Sequence, residues 1–423
     1  MLVVVKFGGT SVANVERIKN AAQKTAAKKA SGYDVVVVSS AMAGITDQLI
    51  SYLREISKGY SLREYDQLVS TGETANIPLI TQALIELGYE AESLTGAQAG
   101  IYTDSNHSKA RITSINTERI RKVLSEGKIC VVAGFQGISS ISGNVTTLGR
   151  GGSDTTAVAL AAVLKADLCE IYTDVDGVYT ADPRLVRDAK KLSVISHEEM
   201  LELASLGAKV LMPRCVEFGM NYNVDIMVLS SLEDKPGTLV TSKELNSGDL
   251  RQRGVYVEEK IENMEKMVIK GVTSDKNQAK ITLRELPDRP GIAADIFSRL
   301  TKANVNVDMI IQNIAKDGRA NLSFTVPKTE LNTALTAVNT LIAEIPEISA
   351  EADEDIAKVS IVGVGMLSHV GVASTMFQTL SKHGINILMI STSEIKISCV
   401  IDEKFTELAV RVLHDVFISG AIG

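Results

Sequence analysis

Residues 147–156 read Thr-Leu-Gly-Arg-Gly-Gly-Ser-Asp-Thr-Thr and run into an apolar helical stretch over 157–165. A glycine turn that opens a helix presents unpaired backbone N–H groups to an anion, which makes this a seat for a phosphate or a carboxylate. Arg150 lies inside the turn, and its planar fork suits bidentate capture of a carboxylate. Ser153 and Asp154 stand where a helix cap would, so capping is the competing use for them. Asp154 beside a phosphate repels it unless a cation intervenes, which leaves Mg²⁺ positioning or the orientation of a lysine as its roles. The same device occurs at the start of the chain, where residues 2–5 read as a buried strand and Lys6-Phe7-Gly8-Gly9-Thr10-Ser11 as a turn into a helix over 14–30. Lys6, a cation on a rigid strand beside two glycines, can hold β- and γ-phosphate oxygens as charge shifts during transfer; a snorkelling surface lysine is the plainer alternative. Two anion seats in one α/β domain imply a phosphate donor and an acidic acceptor.

A third stretch, Tyr172-Thr173-Asp174-Val175-Asp176-Gly177-Val178-Tyr179, follows a strand and continues into Ala181-Asp182-Pro183-Arg184. Calcium is excluded there, because Leu185 occupies the closing position where an EF-hand needs Glu. As a strand-end loop it falls where open α/β sheets bind ligands, so a nucleotide contact is expected. Ser70-Thr71-Gly72-Glu73 puts a carboxylate next to a glycine, suited either to an ammonium group or to a solvated helix face. Thr46, after Ala41-Met42-Ala43-Gly44, reads as the N-cap of a helix through residue 53. Lys209 carries no independent signal. Neither GxxxxGK[ST] nor a strand-following GxGxxG is present, which removes Walker ATPases, protein kinases and Rossmann dehydrogenases. His197, His369 and the other histidines show no triad or metal spacing.

The elements that must position these groups follow from periodicity. Strands are expected over 2–5, 35–38, 129–133, 168–173 and 225–229, separated by helical segments, which is the mark of βα units and a largely parallel sheet. Ser142-Gly143-Asn144 sits between short runs over 137–141 and 145–148 and predicts a hairpin placed as a flap before the second glycine turn. Lys235-Pro236-Gly237-Thr238 and the polar stretch 242–254 interrupt the pattern. Beyond them the chain repeats itself. Residues 280–286, Pro290-Gly291 opening 292–303, 304–308 and 321–326 form one unit; 359–364, Val370-Gly371 opening 372–383, 384–387 and 397–401 form the other, both of ferredoxin-like α+β type.

The 423 residues are 45% apolar and 22% charged, ordinary globular usage with room for two or three cores. A net charge of −7, no Trp and 4% aromatics provide neither the basic stripe nor the stacking platform that nucleic acid needs. Cys130, Cys169, Cys215 and Cys399 are too scattered for a zinc site or a disulfide framework, so reduced thiols in a cytoplasm are expected. No leader or membrane span is expected from the apolar runs.

In order and spacing, Lys6-Phe7-Gly8-Gly9-Thr10-Ser11, Ser70-Thr71-Gly72-Glu73, Gly134-Phe135-Gln136-Gly137, Thr147-Leu148-Gly149-Arg150-Gly151-Gly152-Ser153-Asp154 and Thr173-Asp174-Val175-Asp176-Gly177-Val178-Tyr179 closely resemble the monofunctional aspartate kinases, over essentially the whole chain. The resemblance implies an α/β amino-acid-kinase fold for residues 1–241, a linker over 242–264, and two ACT domains over 265–355 and 356–423 with interleaved segments. It implies ATP held by Lys6, Phe7, Gly8, Gly9, Ser39, Ser153, Thr173, Asp174, Tyr179, Arg184 and Lys209. Aspartate would be held by Thr46, Glu73, Arg150, Gly151, Gly152 and Ser153, with Glu73 on its α-amino group and Arg150 on a carboxylate. Lys6, Asp154 and Arg150 would form the transfer centre, and Mg²⁺ would arrive on the ATP phosphates without a protein ligand set. The implied reaction makes 4-phospho-L-aspartate and ADP, the first step towards lysine, threonine and methionine, including the diaminopimelate branch.

The ACT domains resemble amino-acid sensors, so lysine, threonine or both are the implied effectors. The matching positions are Asp288, Gly291, Ile292, Ala293, Asn306, Val307, Asp308 and Gln312 in the first unit, and Ala373, Ser374, Asn386, Ile387, Leu388 and Glu394 in the second. For each, a helix-start or strand-entry role is the alternative. Val370 stands where that family has proline, which sets the second pocket apart. A homodimer through the ACT domains is implied, with a tetramer as the larger alternative. The rival functions are another enzyme of the same fold, acting on acetylglutamate or carbamate, and a non-catalytic amino-acid sensor descended from a kinase.

Overall fold

The computed structural model describes residues 1–208, 210–243, 268–314, 318–364, 366 and 371–420. Lys209, Val370, His369 and the expected linker from residue 244 onward lie outside the described residues. The chain divides into two compact units. The first comprises Met1–Val178 and Lys191–Ser205 with residues 210–243; the second comprises Tyr179–Lys190 and Leu206–Ala208 with residues 268–420. A division by sequence at residue 241 therefore misplaces two short segments, which pack with the later part of the chain.

The first unit is built on an eight-stranded sheet. Its central strands are β1 (Leu2–Phe7), β2 (Asp34–Ser39), β6 (Ile129–Ala133), β9 (Leu168–Thr173) and β11 (Ile226–Ser230), all paired in parallel. Valine runs such as Val35 to Val38 are buried on both faces, as a parallel sheet covered by helices on each side requires. Short strands complete the sheet: β3 (Ala91–Leu94) beside β6, and β10 (Val194–Ile195) with the antiparallel β12 (Thr238–Val240) beyond β11. Alternate residues of β1 divide between the faces. Val3, Val5 and Phe7 enter a core with Ile18, Ala21 and Ala22 of α1 (Val15–Ala30) and Ile77, Ile80 and Leu84 of α4 (Thr71–Glu86). Val4 and Lys6 face the other way, towards α6 (Gly152–Leu164), which is apolar on every side after its polar first residues and is nearly all buried.

A smaller sheet runs β5 (Ile112–Ile115), β4 (Ile101–Thr103), β7 (Gln136–Ser139), β8 (Val145–Thr147). The last pair is the expected hairpin, with its turn closed by the Gly143 N–H donating to the Ser139 carbonyl at 2.9 Å. Further helices of this unit are α2 (Ile45–Ile56), α3 (Leu62–Val69) and α5 (Glu118–Ser125), and after β9 α7 (His197–Ser205) and α8 (Pro213–Tyr222).

The second unit is one six-stranded antiparallel sheet in the order β14, β15, β13, β16, β18, β17, formed by Ile310–Ile314, Arg319–Pro327, Val268–Pro287, Ser349–Val364, Lys396–Asp402 and Met389–Thr392 respectively. The long strands β13 and β16 run through both repeats. One core is contiguous in sequence, from Ala279 to Ile348, and includes α9 (Ile292–Lys302) and α10 (Leu331–Glu344). The other joins Ile269 and Val272 at the start of β13 to residues of α11 (Val372–Lys382) and α12 (Thr406–Phe417), together with Ala181 and Val186. One module is thus inserted between the first strand and the remainder of its neighbour. The four cysteines are free and buried. No helix among the described residues is long and apolar enough to cross a membrane.

Candidate active site

Lys6, the penultimate residue of β1, is 7% exposed, and its ammonium is ion-paired with Asp154 in the first turn of α6. That pairing brings the two glycine turns together. A cavity of about 410 Å³ in the first unit is lined by Lys6, Gly8, Gly9 and Thr10 from one turn and by Gly151 and Asp154 from the other. Ile171, Thr173 and Asp174 from the end of β9 complete it, with Ala43 and residues 210–212. The cavity thus lies at the carboxyl ends of parallel strands, where helix N-termini and strand-end loops converge.

The two anion seats differ in construction. In the first, Gly8 is not bare: its N–H donates to the Tyr172 carbonyl at 3.1 Å, so the anion-facing part begins at Gly9. A short 3-10 turn, Gly9–Val12, follows, and α1 starts only at Val15 with Asn14 as its cap, whose side chain accepts from the Arg17 N–H. The helix expected over 14–30 is α1 with its cap, and the 3-10 turn stands between it and the two glycines. In the second seat Gly151 is the N-cap of α6 and no side chain caps the helix, so Ser153 and Asp154 are first-turn residues and not caps. Uncapped first-turn amides and the positive end of an apolar, buried helix both favour an anion.

Gly151 has φ 73°, and a Cβ there would lie 2.1 Å from Met212 Cγ. Only glycine fits both the left-handed backbone and the contact. Gly151→Ala is expected to destabilise the first unit by about 1–3 kcal/mol, seen as a lower unfolding midpoint. An unchanged midpoint would show that the turn is free to relax.

Arg150 is exposed and forms no hydrogen bond or ion pair among the described residues; its positive charge is felt by Tyr65. Glu73, in the first turn of α4, is buried. One carboxylate oxygen accepts the Ala41 N–H at 3.1 Å, and the other has no partner. Burial pushes the Glu73 carboxyl up to about 7. The loop after β2 ties this group to the cavity, since the Ala43 N–H donates to the Gly9 carbonyl at 3.2 Å. Ser39 sits beside it, its hydroxyl accepting from the Asn76 amide at 2.9 Å. Ser153 is buried.

Other expected positions are placed differently. The Phe7 ring is fully buried and stacked on Tyr172, so only its backbone can serve a ligand. Thr46 is not the cap of α2; Gly44, in the left-handed region, holds that place. Tyr179 and Arg184 belong to the segment that packs with the second unit and do not line the cavity, and the Arg184 guanidinium is bound to Asp182 at 2.7 Å. Val210, Leu211 and Met212 were not legible as site residues, although Pro213, at the first position of α8, marks a helix start next to them.

In the second unit Gly291 and Gly371 are left-handed N-caps of α9 and α11. Ile292 is buried in the core, while Ala293, Val307, Ala373 and Ile387 are half-buried. Asp288, Asn306, Gln312, Ser374, Asn386 and Glu394 are exposed. Asp308 pairs with the buried Lys358, and the matching position in the other repeat is the exposed Leu388.

Residues 1–230 match the model of the amino acid kinase family, and residues 281–344 and 359–417 match models of the ACT domain. An aspartokinase of Pseudomonas aeruginosa is 52% identical over 416 residues, covering 98% of this chain and 97% of that protein. An aspartokinase of Helicobacter pylori is 49% identical over 417 residues, 99% of each. Among solved structures, E. coli aspartokinase III in complex with aspartate and ADP matches with a TM-score of 0.80 at 26% identity, over 98% of this chain and 99% of that one. With the family models covering both parts of the chain and relatives of about 50% identity aligned over nearly all of it, the chain belongs to the aspartate kinases of the amino-acid kinase family, with ACT domains after the kinase domain.

Proposed function

We propose that ATP and aspartate meet at the cavity between the two glycine turns, with the nucleotide phosphates against Lys6 and the turn from Gly9 and the amino acid held beside the cavity by Arg150 and Glu73. The observation that carries this reading is the Lys6–Asp154 ion pair, which joins the turns in one cavity. A β-carboxylate oxygen of aspartate attacks the γ-phosphorus, and the bond from that phosphorus to the oxygen it shares with the β-phosphate breaks, leaving 4-phospho-L-aspartate and ADP. The nucleophile is already an anion, so no general base is needed; alignment and charge neutralisation carry the rate. Lys6 supplies a fixed positive charge to the transferring phosphoryl group, and Asp154 fixes the lysine. Arg150 and the first turn of α6 align the attacking carboxylate. Thr173 and Asp174 contact the nucleotide from the end of β9. Mg²⁺ carried by the ATP phosphates would neutralise their charge, and Asp174, on the cavity wall, is the carboxylate that would face it.

ADP release measured with aspartate, glutamate, acetylglutamate and carbamate as acceptors tests the assignment, with turnover expected for aspartate alone. Turnover with an acceptor lacking a free amino group would overturn the role of Glu73.

Regulation by lysine, threonine or both fits the ACT repeat, since an effector acts by binding one conformational state better than another. The E. coli aspartokinase III structure with lysine and aspartate is of a T-state. Asp308, one of whose carboxylate oxygens pairs with Lys358, offers its other oxygen to an effector's ammonium group, whereas Leu388 gives the second repeat no carboxylate. Asp308→Asn is expected to raise the half-inhibitory effector concentration about tenfold or more, read from initial rates; unchanged inhibition would remove Asp308 from the effector site. Dimerisation through this unit is supported by its two open sheet edges, β14 and β17, which carry the exposed Ile310 and Ile390.

A further inference from the structure

The group assigned to the substrate carboxylate has nothing holding its own side chain, so the position of Arg150 depends on the turn that carries it. Two residues outside every motif considered above hold that turn. Asp66, on α3, is fully buried and accepts three kinds of donor: the Thr147 hydroxyl at 2.5 Å, the Ser108 N–H at 3.0 Å and His107 Nδ1 at 2.7 Å. Thr147 is three residues before Arg150 at the end of β8. Arg214, on α8, donates to the Leu148 carbonyl at 2.8 Å and to the Ala110 carbonyl at 3.0 Å, and the Ala110 N–H in turn donates to the Thr147 carbonyl at 2.9 Å. Both consecutive residues that lead into the glycine turn are therefore tied to buried or half-buried charged groups. The turn itself closes on this frame: a Cβ at Gly149 would lie 3.0 Å from the Ser108 carbonyl, and the Gly152 N–H donates to the Gly149 carbonyl at 3.0 Å.

We propose that Asp66 and Arg214 are positioning residues that set the affinity for aspartate by fixing the strand end and turn on which Arg150 is mounted. A buried carboxylate surrounded by three donors is a rigid junction, because releasing any donor leaves it unpaired in a low-dielectric interior. Bidentate carboxylate recognition depends steeply on the direction of the guanidinium plane, so a turn free to shift loses affinity even though the arginine is intact. Asp66 reaches the loop over 105–109, β8 and α3 at once, which also explains why a charge is buried there without any contact to the cavity lining. The proposal rests on the reading of Arg150 as the ligand of an aspartate carboxylate.

The test is steady-state kinetics on the full chain with Asp66→Asn, Thr147→Val, Arg150→Ala and the Asp66→Asn/Arg150→Ala pair. Asp66→Asn is expected to raise the aspartate KM tenfold or more with the ATP KM within twofold, and Thr147→Val to do the same to a smaller extent. In the Arg150→Ala background the Asp66→Asn effect on the aspartate KM is expected to vanish. Thr147→Val removes one donor and leaves the carboxylate in place, so it carries the test if Asp66→Asn does not fold. An Arg150→Ala chain with an unchanged aspartate KM would overturn the reading of Arg150 and the proposal with it. A raised KM in Arg150→Ala with none in Asp66→Asn or Thr147→Val would overturn the positioning role alone, as would an equal rise in the KM for ATP or an undiminished effect in the double variant.

Discussion

A Lys6→Ala chain is expected to turn over aspartate and ATP about 10²- to 10³-fold more slowly than the parent, the usual cost of removing one preorganised charge-stabilising donor. The loss has two sources. The ammonium no longer meets the charge that builds on the transferring phosphoryl group. Asp154 is also left unpaired in the same cavity, an uncompensated anion beside the phosphates. The two can be separated by adding Asp154→Asn. If repulsion from Asp154 contributes, the double variant is less impaired than Lys6→Ala alone; if it does not, the two chains are equally slow. Fold integrity is readable from the unfolding transition, because Lys6 contributes no apolar contact to the core that Val3, Val5 and Phe7 build on the opposite face of β1. A folded Lys6→Ala chain with kcat within threefold of the parent would exclude Lys6 from the transfer centre.

Lys6 was legible because strand and turn signals are local. A run of β-branched residues ending in a lysine and two glycines fixes both the strand and its exit, and the five central strands of the sheet lie where the valine and isoleucine runs place them, to within one or two residues. The glycine-arginine turn was legible for the same reason. What local signals could not give is which side chains meet across the sheet. The Lys6–Asp154 pair spans most of the kinase domain in sequence, and orientation of a lysine was one of two roles left open for Asp154. Thr46 was misread because Gly44 can adopt the left-handed backbone that starts α2 and needs no hydroxyl cap. Tyr179 and Arg184 follow Asp174 closely in sequence, yet Ala181 and Val186 draw their segment into an apolar core of the second unit. Asp66 gave no signal at all, since a single aspartate in an amphipathic helix reads as solvated until its three donors are seen.

Glu73→Gln is expected to move stability and activity in opposite directions. The Glu73 carboxyl is raised by burial from an ordinary value of 4.5 to about 7. A carboxyl whose folded pKa lies above its unfolded one binds more protons in the folded state between those two values, so stability falls as pH rises through that window and stays lowered above it. The shift corresponds to roughly 3 kcal/mol of strain at pH 8, absent near pH 4. Glutamine carries no charge to desolvate, and its carbonyl can still accept the Ala41 N–H. The variant should therefore resist denaturant better than the parent at pH 8, by up to about 3 kcal/mol, and equally at pH 4. Function goes the other way. On the proposed reading, the oxygen of Glu73 that has no partner accepts from the α-ammonium group of aspartate, and losing that charge-assisted contact is expected to raise the aspartate KM about 10- to 100-fold. In the parent the same KM should climb about tenfold for each pH unit below 7, as the carboxylate takes up its proton, while the glutamine variant shows no such dependence. A variant that gains no stability at pH 8 and keeps the aspartate KM within twofold would mean that Glu73 is an ordinary helix-face carboxylate and that the amino group of aspartate is held elsewhere.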